Sequence, residues 1–151
     1  IGGLRLKDLS IEVPIAILEN SEIPNSYVQF RNANILSAAV SWAEVINADT
    51  IYIGAVEEDS SGYPDCRRSF YDAFEKTIDE GTKPQTKIKI KTPLIEMSKR
   101  DIVSYAFINN SPIQFSWSCY RNEDIPCGEC DSCKLRERGF KLAGYIDPII
   151  N

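Results

Sequence analysis

The chain has 151 residues, 43% of them hydrophobic, enough for one sizeable core, and no apolar run long enough to cross a membrane. A formal net charge of −5 argues against a broad surface that tracks nucleic-acid phosphates, so small molecules are the expected partners; the five cysteines, an odd number, weaken a disulfide framework and make the cytoplasm the expected compartment. The chain contains no histidine, which removes Ser-His and Cys-His hydrolysis and leaves proton transfer to carboxylates, Lys, Tyr or Cys.

In chain order, the first twenty residues are ambiguous, with IEVPIAIL extended around Pro14. Residues 35–46 carry apolar side chains at helical spacing (Leu36, Ala39, Val40, Ala43, Ile46), with Asn34 as the expected cap and Trp42 and Val45 broadening the buried face. IYIGAV (51–56) reads as a buried parallel strand. It runs into EEDSSGYPDC, rich in turn formers and functional groups, as expected of ligand loops at the carboxyl ends of parallel strands. A second helix is predicted over 67–80, stopped by Gly81. KIKIK (87–91) alternates as a strand with Lys87, Lys89 and Lys91 on a solvated face, and Ser98 with Asp101 makes a capping box for a helix reaching about Asn110. A last helix ends near Gly144. Alternating helices and strands give an α/β fold, a Rossmann-like parallel sheet with flanking helices, in one domain over 1–151.

Cys119, Cys127, Cys130 and Cys133 fall within fifteen residues, with seven residues between the first two and two between each later pair. This is the spacing of a knuckle that closes on one ion, and four thiolates suit a structural, tetrahedral zinc. Gly128 permits the tight turn, Asp131 stands where a helix cap belongs, and Cys133 lies in the first turn of that helix, whose amino end favours thiolate. Lys134, Arg136 and Arg138 follow and can offset the cluster's negative charge, while Tyr120 and Arg121 are expected to pack against the knuckle. An iron–sulfur cluster, two disulfides or free thiols are the alternatives, the disulfides requiring an oxidising compartment. Cys66 stands outside the set.

Arg31-Asn32 opening a helix, DSSGYPDCR after IYIGAV, PLIEMSK, SCY, CGECDSCKLRERGF and AGYIDP together resemble the 7-cyano-7-deazaguanine synthases of queuosine precursor biosynthesis, over about residues 23–148. The resemblance implies an adenine nucleotide alpha hydrolase-like fold of the PP-loop (N-type ATP pyrophosphatase) superfamily. It implies a ligase that uses ATP with Mg2+ to convert 7-carboxy-7-deazaguanine and ammonia to the nitrile through adenylated intermediates. It also implies zinc on Cys119, Cys127, Cys130 and Cys133, with a second copy as the expected homodimer partner and neither nucleic acid nor membrane. Two features depart from the pattern. No strand followed by SGGxDS is present, so about the first third of the enzyme is expected to lie outside this chain, which alone would bind ATP poorly. Gln29-Phe30 stand where a Pro and a small residue are usual.

Within that frame Arg31, Lys99 and Cys66 are candidate catalytic residues. Arg31 offers a guanidinium fork for carboxylate or phosphate, or a surface salt bridge, and Lys99 is an ammonium in a first helical turn that an anion would favour, or an exposed lysine. Cys66 is either a nucleophile at a helix amino end or a packed small hydrophobe. Candidate substrate contacts are Asn32 (ligand contact or helix cap), Asp59 (magnesium or a solvated turn), Tyr63 (a stacking face), Asp65 (the pairing edge of a guanine-like base, or a cap of the next helix) and Arg67 (phosphate or solvated). Two other readings compete: a related adenylating enzyme acting on a macromolecular target, and a non-catalytic zinc-binding module.

Overall fold

The computed structural model describes residues 27–57 and 63–150, which divide into two compact units, Val28–Glu96 and Tyr27 with the stretch from 97 onward. In the first unit, helix α1 (Arg31–Ile46) leads to strand β1 (Thr50–Tyr52), a 3-10 turn (Pro64–Cys66), helix α2 (Arg68–Gly81) and strand β2 (Lys89–Lys91). The two strands pair in parallel with Ile51 opposite Ile90, so the chain runs strand, helix, strand as an α/β crossover requires. Ile53 N–H donating to the Lys91 carbonyl and Lys89 N–H donating to the Asp49 carbonyl extend the ladder at both ends.

Alternation places Ile88 and Ile90 inside and Lys89 and Lys91 outside, as the KIKIK pattern predicts. Leu36 and Ala43 from α1, Tyr71 and Ile78 from α2, and Ala55, Ile88, Ile90 and Ile95 from strands and loops form one core. The sequence reading of α1 needs two corrections. Its first turn begins at Arg31, so Asn34 is inside the helix and Phe30, in the left-handed conformation at φ 56, occupies the cap position. Trp42 and Val45 are 64% and 68% exposed, and Ile46, expected on the buried stripe, is 53% exposed. At about 100° per residue, Trp42 points about 120° and Val45 about 180° away from Leu36, off the buried stripe.

In the second unit α3 (Lys99–Ile108) packs on α4 (Asp131–Ala143), with a 3-10 turn (Ile113–Phe115) between them. Ser98 and Asp101 form the complete capping box that opens α3. Gly144, at φ 75, ends α4, and Tyr145 stacks on Phe107 at 4.0 Å. Among the described residues no helix is long and apolar enough to cross a membrane.

Candidate functional site

The cysteine cluster is assembled by the chain leading into α4. Its four sulfur atoms lie within 4.8 Å of one another, and Cys127 Sγ is 3.9 Å from Cys133 Sγ. Four thiolates at about 2.3 Å from one tetrahedral ion sit about 3.8 Å apart, so the donor set fits a single closed site. No disulfide joins them.

Backbone amides prepare this set for a cation. Cys119 Sγ accepts N–H bonds from Arg121 (3.4 Å), Asn122 (3.3 Å) and Cys127 (3.4 Å), and Cys127 Sγ accepts from Glu129 and Cys130, both at 3.4 Å. Gly128, at φ 70, makes the turn that aims the last two. Burial pushes the Cys119 thiol up, but the N–H bonds from Cys127, Asn122 and Arg121 outweigh it and pull the thiol down to about 6. Burial pushes the Cys133 thiol up, and its neighbours Cys130 and Cys119 push the same way. Sulfurs this close share charge reluctantly without a cation.

Several neighbouring expectations need correction. Cys130, not Asp131, occupies the cap position of α4, and Asp131 is the first helical residue. Arg136 does not turn to the sulfurs. It grips Asp147, with Nη2 to Oδ1 at 2.8 Å, and also reaches Ser116 Oγ at 2.8 Å. Lys134 pairs with Glu137 at 2.9 Å, and the Cys133 sulfur also raises its pKa, so it does lend charge to the cluster as expected. Arg121 does stay at the knuckle, through its N–H to Cys119 and an ion pair with Glu129.

The second cluster lies in the first unit, where α1, the Pro64–Cys66 turn and α2 meet. Asn32, Asp65, Cys66 and Tyr71 are buried there. Asn32 N–H donates to Asp65 Oδ2 at 3.0 Å, so Asp65 supplies an acceptor to the amino end of α1 across 33 residues of sequence, rather than capping the helix that follows it. The Asn32 side-chain amide donates to the Asp65 carbonyl (2.8 Å) and reaches Cys66 Sγ and Tyr71 Oη, both at 3.4 Å. Tyr71 donates its hydroxyl to the same Asp65 carbonyl at 3.0 Å. Burial first, then Cys66 and Asp65, push the Tyr71 phenol well up, so it stays protonated as a donor.

Three of the eight non-cysteine-cluster candidates, Asn32, Asp65 and Cys66, are thus brought together. Arg31, half-buried, is the adjacent first residue of α1; Tyr63, half-buried, precedes the turn and accepts Cys66 N–H at 3.1 Å. Arg67 is exposed beside them. Lys99 opens α3 in the other unit, and Asp59 lies outside the described residues. Sequence reasoning missed Tyr71, inside the second predicted helix with no local motif to mark it, and Asp147, although it lies in the AGYIDP segment.

A family model described as "Queuosine biosynthesis protein QueC" matches residues 1–144. Proteins named 7-cyano-7-deazaguanine synthase are similar over 149 residues, 99% of this chain: 60% identical in Chlorobium chlorochromatii (strain CaD3), 58% in Chlorobaculum parvum and 57% in Chloroherpeton thalassium. The chain spans 65–66% of the length of these relatives.

Proposed function

This chain belongs to the QueC family of queuosine biosynthesis proteins, and we propose that the protein it represents is a 7-cyano-7-deazaguanine synthase. The observation that carries this reading is the convergence of four cysteine sulfurs to within 4.8 Å in a chain up to 60% identical to relatives bearing that name. The reaction we propose is a two-stage use of ATP. The carboxylate of 7-carboxy-7-deazaguanine attacks the α-phosphate of ATP, releasing pyrophosphate and leaving an acyl adenylate. Ammonia displaces AMP to give the amide. A second ATP adenylates the amide oxygen, and loss of AMP with a proton from nitrogen gives the nitrile.

The roles of individual residues follow from their chemistry. Cys119, Cys127, Cys130 and Cys133 would hold zinc, which with four protein ligands has no open position for substrate and serves the fold. Arg31 offers a fork of N–H donors to carboxylate or phosphate, and Lys99 and Arg67 offer cations to ATP phosphates. Asp65 uses one N–H bond internally, leaving lone pairs for the adjacent N–H donors of a guanine-like edge, and Tyr63 offers a stacking face. Asp59 is assigned to magnesium. Cys66 divides two routes: direct attack of ammonia on the adenylate, or prior capture of the acyl group as a thioester with release of AMP. A homodimer in the cytoplasm is part of the same proposal.

The test is incubation of the whole enzyme with ATP, ammonia and 7-carboxy-7-deazaguanine, followed by mass spectrometry. Appearance of the nitrile with release of AMP and pyrophosphate supports the reading. A product that stops at the amide, or no product, contradicts it.

A further inference from the structure

We propose that Asn32 and Tyr71 act as a clamp that positions the turn carrying Tyr63, Asp65 and Cys66 for the purine-like substrate, rather than as substrate ligands or plain core residues. The proposal rests on the synthase reading for the identity of that substrate, but its geometry stands separately.

Tyr71 is 0% exposed, with its ring packed edge-on to Phe70 at 5.1 Å in the core. Phenylalanine would fill that space equally, so packing does not explain the hydroxyl. The hydroxyl instead donates to the Asp65 carbonyl, a backbone group that the 3-10 turn leaves pointing inward. Asn32 approaches the same carbonyl from the opposite helix. One carbonyl therefore takes a donor from α1 and a donor from α2, which fixes the turn between the two helices through both its lone pairs.

Asn32 is fully engaged in this task. Its amide has two hydrogens, and three acceptors stand within 3.4 Å of the nitrogen: Asp65 O, Cys66 Sγ and Tyr71 Oη. Its backbone N–H holds the Asp65 carboxylate. With the nearest contact, at 2.8 Å, taking one amide hydrogen, the other is divided between the cysteine sulfur and the phenol oxygen. Removing the phenol oxygen hands that hydrogen to the sulfur, and removing the amide takes it away. Both the direction of the Asp65 carboxylate and the reactivity of Cys66 are consequently set by residues that need not touch substrate.

The experiment compares the whole wild-type enzyme with Tyr71→Phe. KM and kcat are measured for each substrate, and the pH profile of Cys66 alkylation by iodoacetamide is followed by peptide mass spectrometry. We expect KM for 7-carboxy-7-deazaguanine to rise about tenfold, with KM for ATP within about twofold of wild type. The alkylation midpoint should move to lower pH. A merely structural role would reduce active enzyme and kcat with KM unchanged, and that result, a KM rise shared with ATP, or an unmoved midpoint overturns the clamp. If the wild-type enzyme forms no nitrile, the functional reading fails, while the alkylation midpoint still decides the clamp. If Tyr71→Phe does not fold, Asn32→Ala takes its place: a midpoint moved to higher pH supports the clamp, and an unmoved one overturns it.

Discussion

Gly139 of α4 meets Lys99 of α3 so closely that a Cβ on the glycine would lie 2.9 Å from Lys99 Cβ and 3.3 Å from Lys99 O. The glycine is thus a packing requirement, since the Lys99 carbonyl is backbone and cannot swing aside. Gly139→Ala gains about 1 kcal/mol of helix propensity, but overpacking of this kind costs about 1–3 kcal/mol. A net loss of stability, read by urea unfolding, is expected, with Lys99 displaced; on the role proposed for Lys99, KM for ATP should rise as well. Gly81 is the matched control. Nothing lies within 4 Å of a Cβ built there and its backbone is not left-handed, so Gly81→Ala should be neutral or stabilising by up to about 1 kcal/mol.

Arg136 and Asp147 form a buried ion pair in the second unit, with side chains 10% and 7% exposed. Arg136 also lies over the Phe140 ring, 5.0 Å from its centre, so the guanidinium is held from several sides. Asp147→Ala strands a buried cation, and such losses cost about 3–5 kcal/mol. Chemical denaturation is expected to show a loss of that order. Replacing an exposed pair such as Lys134 and Glu137, by contrast, should change stability by less than about 1 kcal/mol.

Two carboxylates give stability an acid dependence. The Lys83 N–H, then the Thr86 hydroxyl, hold Glu44 below the usual carboxylate range, and the Ser98 hydroxyl does the same for Asp101. A depressed folded pKa means that the stabilisation is present above the unfolded value, 4.5 for Glu44 and 3.8 for Asp101, and is lost as pH falls through the folded one. Glu44→Gln and Asp101→Asn should therefore flatten the acid limb of Tm against pH. Tyr71 has the opposite sign: its raised pKa stabilises fully below about pH 10 and that contribution fades as pH rises through the folded value. Tyr71→Phe should flatten the alkaline limb.

What the sequence disclosed was local. The Ser98 and Asp101 capping box, the Ile88 and Ile90 alternation and the cysteine spacing each sit within a short window and reappear in the structure. Local sequence does not mark the amino end of α1, because its acceptor, Asp65, comes from 33 residues downstream, beyond any periodic signal. Trp42 and Val45 are apolar but lie off the helix stripe that meets the sheet, so hydrophobicity alone misassigned them. Sequence proximity sets Arg136 beside the cysteine cluster, whereas Asp147, eleven residues on, captures it.

Metal content decides whether one ion is clamped by the four sulfurs. Protein purified without chelator should carry one zinc per chain by elemental analysis, and Cys130→Ser, at the most buried of the four positions, should lower both that content and the thermal midpoint. Wild-type protein without a stoichiometric metal, or with a content that Cys130→Ser leaves unchanged, would contradict a four-sulfur site.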